Sequence, residues 1–521
     1  MDVLEKARHE QFDVEPVNKR EKQQPLYAAR KKIHPKRAEG TFRKLKWLVM
    51  IVTLGIYYLT PWIRWDRGPY APDQAVLIDL LHRRFYFFFI EIWPQEFYYV
   101  AGLLIMAGVG LFLITSSVGR AWCGYTCPQT VWVDLFLVVE RAVEGDRNAR
   151  IKLDAAPWSV SKLMKRVVKH AIWILIAIST GGAWIFYFAD APSLAVDVFT
   201  GQAAGIAYMT IAILAATTYV LGGLMREQVC TYMCPWPRIQ AAMLDENSLT
   251  VTYNDWRGEP RSRHAKKMAA EGKPVGDCVD CNACVAVCPM GIDIRDGQQL
   301  ECITCALCID ACDGVMGKLG KEKGLISYAT LADYNQNMAI ASTPGSVPGT
   351  GIDPARVRPD GDRLNPSFLK TTWRSIIRFR TLLYFSIWAL VGLAMLASLL
   401  TRTRLDVNVL HDRNPVFVKL SDGSIRNGYT IKILNMMPEP RTIRLSLEGL
   451  PGGLMTVSNK TDEPVSELLI DAQPDKLENV KIFVRVDPAD LTAKTMDFTF
   501  IAQDVMGSES ATYEAHFETG D

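Results

Sequence analysis

Five stretches of roughly 20 apolar residues constrain how this chain can fold. A helix of that length crosses the hydrocarbon layer of a bilayer while satisfying its own backbone hydrogen bonds. A sixth apolar stretch, Phe85–Trp93, is short and contains Glu91, so it predicts an interfacial segment instead of a span. The predicted spans lie near Trp47–Trp62, Phe97–Thr115, Val168–Phe188, Ile206–Met225 and Leu382–Leu400.

Basic residues predict the orientation of these spans. Lys and Arg cluster before the first span and between the second and third, whereas the connection Ala191–Gln202 has neither. The basic loops are therefore expected in the cytoplasm, with the N-terminus inside and, after five spans, the C-terminus outside. The opening residues Met1–Glu10 lack the apolar stretch that a cleaved signal peptide contains. A net charge of +2 gives no global argument for a nucleic-acid partner.

Two cysteine runs carry the main chemical signal. All 12 cysteines lie between Cys123 and Cys312, on the predicted cytoplasmic side, where thiols stay reduced. Three cysteines at two-residue gaps followed by a more distant fourth are typical of bacterial ferredoxins with two [4Fe–4S] clusters, in which the fourth ligand serves the other cluster. The predicted sets are Cys278, Cys281, Cys284 and Cys312 for one cluster, and Cys302, Cys305, Cys308 and Cys288 for the other.

These eight cysteines have two other interpretations. Zinc sites pair two short Cys hooks across a longer gap, so they do not require this triple spacing twice. Clusters with a purely structural role would have the same sequence pattern. Asp313 follows the second run where Pro289 follows the first, which weakens the motif slightly.

A second motif occurs twice, as Cys-x-Tyr-x-Cys-Pro. Its cysteines are Cys123 and Cys127 in the first copy and Cys230 and Cys234 in the second, and each copy follows the predicted inner end of a span. Pro suits the first turn of a helix, so each pair is expected in a turn that opens a helix such as Gln129–Glu140, where a helix N-terminus lowers a thiol pKa. If the turns converge, four sulfurs with Met225 and Met233 nearby would favour Cu(I). A structural thiol pair, a regulatory disulfide and a four-thiolate zinc site remain alternatives.

The region after the last span predicts a β-sandwich of immunoglobulin-like type. Short alternating or β-branched runs are separated there by Gly, Pro, Asn and Asp clusters. The predicted strands are Phe417–Leu420, Tyr429–Leu434, Thr442–Leu447, Lys481–Val486, Phe498–Ile501 and Thr512–Phe517.

The chain is thus predicted to be a multi-domain membrane protein: a bundle of about five transmembrane α-helices, a cytoplasmic α+β insert like a two-[4Fe–4S] ferredoxin, and a C-terminal immunoglobulin-like β-sandwich. Histidines are too sparse for a transmembrane haem pair, and no Gly-rich dinucleotide fingerprint follows a strand, so a separate, unidentified donor must supply electrons. The predicted boundaries are a basic leader at 1–45, four spans with the first Cys-x3-Cys-Pro turn at 46–227, the second turn and ferredoxin domain at 228–340, a linker at 341–380, the fifth span at 381–402 and the outer domain at 403–521.

Several sequence blocks resemble the cytochrome c oxidase accessory protein family CcoG, also called FixG or RdxA. The resemblance runs from about Arg43 to the C-terminal end, and the leader before it has no match. The blocks are Cys123-Gly-Tyr-Thr-Cys-Pro-Gln-Thr-Val-Trp132, Val139-Glu-Arg141 with Glu144-Gly-Asp-Arg-Asn-Ala-Arg150, Arg257-Gly-Glu-Pro-Arg261, Gly291-Ile-Asp-Ile-Arg295, Ile309-Asp-Ala-Cys-Asp313 and Ser421-Asp-Gly-Ser-Ile-Arg-Asn-Gly-Tyr429.

The resemblance implies a protein of the bacterial inner membrane that acts in biogenesis of cbb3-type oxidase, reducing Cu(II) to Cu(I), with a periplasmic immunoglobulin-like domain. It implies cluster ligation by the eight ferredoxin cysteines and a copper or redox role for Cys123, Cys127, Cys230 and Cys234. Expected partners are lipid, copper, an electron donor, and oxidase subunits or copper chaperones; a homo-oligomer is left open. The alternatives are a quinone-linked electron-transfer subunit and a non-catalytic assembly scaffold.

Overall fold

The computed structural model describes residues 32–341, 377–437, 439–458, 463–474 and 476–520. Most of the predicted leader and linker lies outside these residues. The chain divides into two compact units, each formed from two segments: Met1–Trp62 with Tyr98–Gly392, and Ile63–Phe97 with Leu393–Asp521.

Among the described residues, five helices are long and apolar enough to cross a membrane, as predicted. The third begins earlier than its apolar stretch, because Ser159 caps it by accepting a hydrogen bond from the backbone N–H of Lys162. Its first turns are therefore basic and amphipathic. The candidate spans are Thr41–Trp62, Pro94–Val118, Val160–Ile185, Gly205–Met225 and Phe379–Thr401.

Shorter helices connect and follow the candidate spans in the first unit. Pro128–Glu144 extends the predicted amphipathic helix by one residue at its start and four at its end. The other helices outside the spans in this unit are Arg147–Ala155, Ala191–Thr200, Trp236–Met243, Asp255–Gly258, Ala265–Ala270, Ala283–Val287, Leu307–Leu319 and Leu331–Ala341.

The cysteine runs lie in a small α+β domain of the first unit. Strands Thr250–Tyr253 and Ile326–Ala329 pair antiparallel, and helices Ala283–Val287 and Leu307–Leu319 pack against one another. Asp310, on the second of these helices, accepts hydrogen bonds from the backbone N–H groups of Phe42 and Arg43 at 3.2 and 2.7 Å. The domain is thereby anchored to the first turn of the first candidate span.

The second unit contains a small antiparallel sheet of strands Val76–Asp79, Arg84–Phe87 and Ile90–Ile92. The predicted interfacial segment Phe85–Trp93 is therefore mostly β-structure. Aromatic residues favour pleated strands, and the reversal at Phe88, with φ of 52°, lets the chain form a tight turn.

The C-terminal residues form the predicted β-sandwich. One sheet has the strand order Leu454–Val457, Leu477–Val486, Ile425–Asn435 and Leu405–His411, with Phe417–Lys419 also paired to Ile425–Asn435. The other has the order Glu467–Ala472, Arg441–Glu448, Thr495–Asp504 and Ser510–Glu518. Alternate residues such as Ile431, Leu445 and Phe500 are fully buried between the sheets. Three strands were not predicted from the sequence: Leu405–His411, Leu454–Val457 and Glu467–Ala472.

Candidate iron–sulfur and thiol site

The two cysteine runs adopt the same unusual backbone form. The second and fourth residues after the first cysteine of each run have positive φ: Asp280 at 50° and Asn282 at 58°, Thr304 at 55° and Ala306 at 58°. Positive φ is uncommon outside Gly and a clear outlier for a β-branched Thr. Such strain persists where the surroundings impose it, as at binding sites. Both loops therefore wrap around a centre in the same way.

Arg295 maintains the first loop in this form. Its guanidinium donates to Asp280 Oδ1 and Asn282 Oδ1, both at 2.7 Å, so it contacts both left-handed residues. It also pairs with Asp293 at 2.6 Å. Burial alone would raise the pKa of Asp293, but the hydrogen bonds and charge of Arg295 lower it below its ordinary value. Arg295 is thus positioned by one carboxylate to support the loop.

The thiols lie in two neighbouring groups. Burial raises the pKa of Cys312, and the nearby thiols of Cys278 and Cys281 raise it further. Burial also raises the pKa of Cys284, and the thiols of Cys312 and Cys281 add to this increase. Burial raises the pKa of Cys288 to about 12, with Cys305 and Cys302 contributing. A cavity beside the second group is lined by Cys288, Cys302, Cys305 and Cys308, and also by Cys284 of the first predicted set. The assignment of ligands to the two clusters stays a prediction.

The donor set fits [4Fe–4S] clusters better than single ions. Tetrahedral zinc holds four sulfurs at about 2.3 Å, which crowds them together. In the described part of the chain, no three His, Cys, Asp or Glu side chains converge closely enough to hold one metal ion. Eight buried or half-buried thiols, on loops of matching form, instead suit clusters held by four cysteines each.

The four Cys-x3-Cys-Pro thiols lie in one region of the first unit, although no three of these described side chains converge closely enough to hold one metal ion. The first cysteine of each pair lies in a π-helical turn, Trp122–Thr126 or Val229–Met233, and the second directly follows that turn. Helix Pro128–Glu144 or Trp236–Met243 comes next. Cys123 lies in the electrostatic field of Cys127, Cys230 and Cys234. All twelve cysteines are free. The two turns of the repeat are thus near one another, and a shared four-sulfur site stays a prediction.

The expected lowering of thiol pKa values is wrong for one cysteine of each pair. Burial raises the pKa of Cys123 and of Cys230 to about 12. Both precede their helices by several residues, and Cys123 is buried, so desolvation of the thiolate outweighs the helix N-terminus. These thiols would bind a metal only by releasing their protons.

The two turns of the repeat have different surroundings. A Cβ atom on Gly124 would lie 2.7 Å from the carbonyl oxygen of Ile303, so only glycine permits this approach to the second cysteine loop. Tyr125 is buried and donates a hydrogen bond to the carbonyl oxygen of Cys305 at 3.2 Å. In the second turn, the equivalent Tyr232 is 78% exposed. The first turn is therefore packed against the loop, whereas Tyr232 and Met233 of the second turn are exposed.

Polar side chains connect the two turns. Gln240, from the helix after the second turn, accepts a hydrogen bond from the Cys123 thiol at 3.1 Å, and its Nε2 lies 3.2 Å from Thr115 Oγ1. Glu140, from the helix after the first turn, pairs with Arg226 at 3.0 Å, just before the second turn. Burial opposes ionisation of Glu140, but Arg226 and other nearby cations outweigh it and lower the pKa to about 2.

Sequence reasoning missed the roles of Gln240, Glu140 and Asp310. Glu140 and Asp310 stand within the blocks that carried the family resemblance, and charged residues beside predicted spans are a signal for buried ion pairs. Nothing local marks Gln240, whose partner Cys123 is 117 residues away.

These features define a membrane-helix iron–sulfur protein with ferredoxin-like loops and an immunoglobulin-like domain. Models for a 4Fe-4S binding domain, a 4Fe-4S dicluster domain and an "IG-like fold at C-terminal of FixG, putative oxidoreductase" match residues 100–143, 225–331 and 395–520. The chain belongs to the FixG/RdxA family. It is 65% identical over 512 residues to the "Nitrogen fixation protein FixG" of Rhizobium meliloti (strain 1021), covering 98% of this chain and 97% of that protein.

Two further relatives come from Cereibacter sphaeroides. RdxB is 54% identical over 84% of this chain and 88% of its own length. RdxA is 54% identical over 82% of this chain and 85% of its own length. A solved FixG-related protein from Vibrio parahaemolyticus covers 22% of this chain and 97% of that chain, at 20% identity and a TM-score of 0.20.

Proposed function

We propose that this chain reduces Cu(II) to Cu(I) at its four Cys-x3-Cys-Pro thiols for assembly of a cbb3-type oxidase in the bacterial inner membrane. One observation carries the proposal: Cys123, Cys127, Cys230 and Cys234 are neighbours, and the first turn packs through Gly124 and Tyr125 onto the loop of Cys302 and Cys305. Clusters bound at the eight ferredoxin cysteines would supply single electrons.

Copper is the substrate of this reaction. Soft sulfur ligands favour Cu(I) over Cu(II), so a site of thiols promotes the one-electron reduction of an ion that enters as Cu(II). Burial keeps Cys123 and Cys230 protonated at neutral pH, so binding releases protons and strengthens as the pH rises. Gln240 orients the Cys123 sulfur through its hydrogen bond.

The direct test uses full-length protein purified without oxygen, reduced with dithionite and freed from it by desalting. Added Cu(II) should give Cu(I), measured with a chelator specific for that oxidation state. Cys123→Ser and Cys234→Ser should lose most of this activity while keeping the visible spectrum and about eight irons of two [4Fe–4S] clusters.

Two outcomes would contradict the proposal. Fully loaded, reduced protein that forms no Cu(I) would exclude copper reduction and favour a scaffold role. Serine variants that react as fast as the wild type would mean that copper is reduced elsewhere, without the four thiols.

A further inference from the structure

An arginine precedes each Cys-x3-Cys-Pro pair, and the two arginines have different partners. Arg226 comes four residues before Cys230, and its guanidinium pairs with Glu140 at 3.0 Å. Arg120 comes three residues before Cys123 and is 4% exposed. Its partners in the described part of the chain are all neutral, so the repeat contains one neutralised arginine and one that is not.

Arg120 binds backbone carbonyl groups from two segments. Its Nη1 donates to the carbonyl oxygens of Leu300 and Cys302, the second at 3.1 Å. Its Nη2 donates to the carbonyl oxygen of Pro237 at 2.6 Å, in the helix that follows the second thiol turn. The guanidinium is therefore fixed between the second cysteine run and this helix.

Two other buried arginines of the first unit each have a carboxylate partner. Arg257, which is 6% exposed, pairs with Asp277 at 2.6 Å. Arg43 is equally buried and pairs with Asp134 at 2.8 Å. A buried charge is costly unless an opposite charge accompanies it. The negative charge that accompanies Arg120 must therefore have another source.

Three carboxylates near Cys302 do not provide this charge. They are Asp245 and Glu246, which line the same cleft, and Glu301, which directly precedes the cysteine. Asp245 pairs with Arg378 and Arg380, Glu246 is exposed to solvent, and Glu301 is half-buried. Among the described residues, none of them forms an ion pair with the buried guanidinium.

The second cysteine run can provide the missing charge. Cys302, whose carbonyl accepts from Arg120, is a predicted cluster ligand. Cysteines bind iron as thiolates, so a [4Fe–4S] cluster held by four of them is negative overall, and reduction adds one more electron. A positive charge beside such a cluster stabilises the reduced form more than the oxidised form.

We propose that Arg120 is the counter-ion of the cluster held at the second cysteine run and raises its reduction potential. The loop of this run is also the one that packs against the first Cys-x3-Cys-Pro turn. The inference deepens the proposed function, on which it rests for the role of the clusters as electron donors. It names a residue that favours electrons on the cluster beside the thiols.

The test measures reduction potentials by EPR-monitored titration of full-length, anaerobically purified, copper-free protein. Arg120→Gln keeps a hydrogen-bond donor and removes the charge. At a fixed potential, we expect the ratio of reduced to oxidised cluster to fall about tenfold for one cluster, which equals about 59 mV for a one-electron couple. Arg120→Lys keeps the charge and serves as the matched control, with a ratio close to that of the wild type.

Two further variants identify the cluster and the sign of the effect. Cys305→Ser changes a ligand of the second run, so the EPR signal that it shifts or removes should be the one that Arg120→Gln moves. Glu301→Gln removes a negative charge beside the same loop and should raise that ratio, by less than tenfold because the residue is half-buried. Iron content of the Arg120 and Glu301 variants should remain at the wild-type value.

Three results would overturn the inference. Equal falls in Arg120→Gln and Arg120→Lys would mean that the residue acts through its hydrogen bonds alone. Unchanged ratios in Arg120→Gln with full iron content would exclude an effect of its charge, as would a shift confined to the signal that Cys305→Ser leaves intact. If Arg120→Gln loses iron, Glu301→Gln decides: a raised ratio supports the inference, and an unchanged ratio rejects it.

The copper assay separates this inference from the proposed function, because the titration contains no copper. Failure to form Cu(I), with the charge effect intact, would reject the proposed function and leave the role of Arg120 standing. Copper reduction in a protein whose potentials do not respond to Arg120 or Glu301 would do the reverse.

Discussion

The hydroxyl of Tyr125 donates a hydrogen bond to the carbonyl oxygen of Cys305 across 3.2 Å. This contact joins a turn at the end of one candidate span to a loop that lies 180 residues further along the chain. Gly124, beside Tyr125, also lies close to the carbonyl oxygen of Ile303 in this loop. The two contacts pack the turn of the first thiol pair against the iron–sulfur domain.

Replacing Gly124 with alanine should separate this turn from the loop. The new methyl group would lie 2.7 Å from a backbone carbonyl that cannot easily move. We expect a loss of about 1–3 kcal/mol, typical of overpacking, seen as a lower thermal unfolding midpoint under anaerobic conditions. Thr231→Ala changes the equivalent position of the second turn and should have a smaller effect. Equal midpoints for the two variants would contradict the packing described.

Pairs of substitutions test which cysteines share a cluster. With crossed ligand sets, Cys288→Ala combined with Cys302→Ala damages one cluster and leaves about four irons, since each cluster holds four. Cys288→Ala combined with Cys284→Ala damages both and leaves much less iron. Iron analysis and EPR measure the result. If each run held its own cluster, the two double variants would exchange outcomes.

The ion pair of Glu140 with Arg226 predicts acid sensitivity. The pKa of Glu140 is lowered from an ordinary 4.5 to about 2, so its stabilising contribution is complete above about pH 5 and is lost progressively as the pH falls towards 2. That contribution is about 3 kcal/mol in the folded protein. The thermal midpoint of Glu140→Gln should lie below that of the wild type at pH 7.5, with a smaller difference at pH 3.5. A constant difference across this range would contradict the assignment.

Asp310 should matter for stability more than its position between two cysteines suggests. Asp310→Ala leaves the N–H groups of Phe42 and Arg43 without an acceptor, which typically costs about 1–3 kcal/mol. Asp310→Asn keeps one acceptor oxygen and should fall between alanine and wild type. Chemical denaturation monitored by tryptophan fluorescence would rank the three proteins, and an unchanged alanine variant would exclude the anchoring role.

The orientation of the spans is a prediction from basic residues, and reporter fusions test it. Alkaline phosphatase, which needs an oxidising compartment, should be active when fused after His411 and inactive when fused after Gly272. The opposite pattern would place the cysteine domain outside the cytoplasm and require a different source of electrons.

The spans and most strands of the β-sandwich were predictable because each has a local periodic signal. Leu405–His411 also alternates buried and exposed residues, but its position directly after the fifth span obscured the pattern. Gln240 and Arg295 could not be assigned from the sequence, because their roles depend on contacts with distant residues or on a backbone conformation that only the folded loop reveals.

The unequal surroundings of the two Cys-x3-Cys-Pro turns would determine where the copper ion of the proposed function enters and leaves. An ion held between them would have the interior of the protein on one side and the exposed Tyr232 and Met233 on the other. Entry and departure would then both use the side of the second turn. If the proposed reduction takes place here, a partner that collects Cu(I) would meet Tyr232 and Met233 first, so substitutions at these two residues should impair delivery more than reduction.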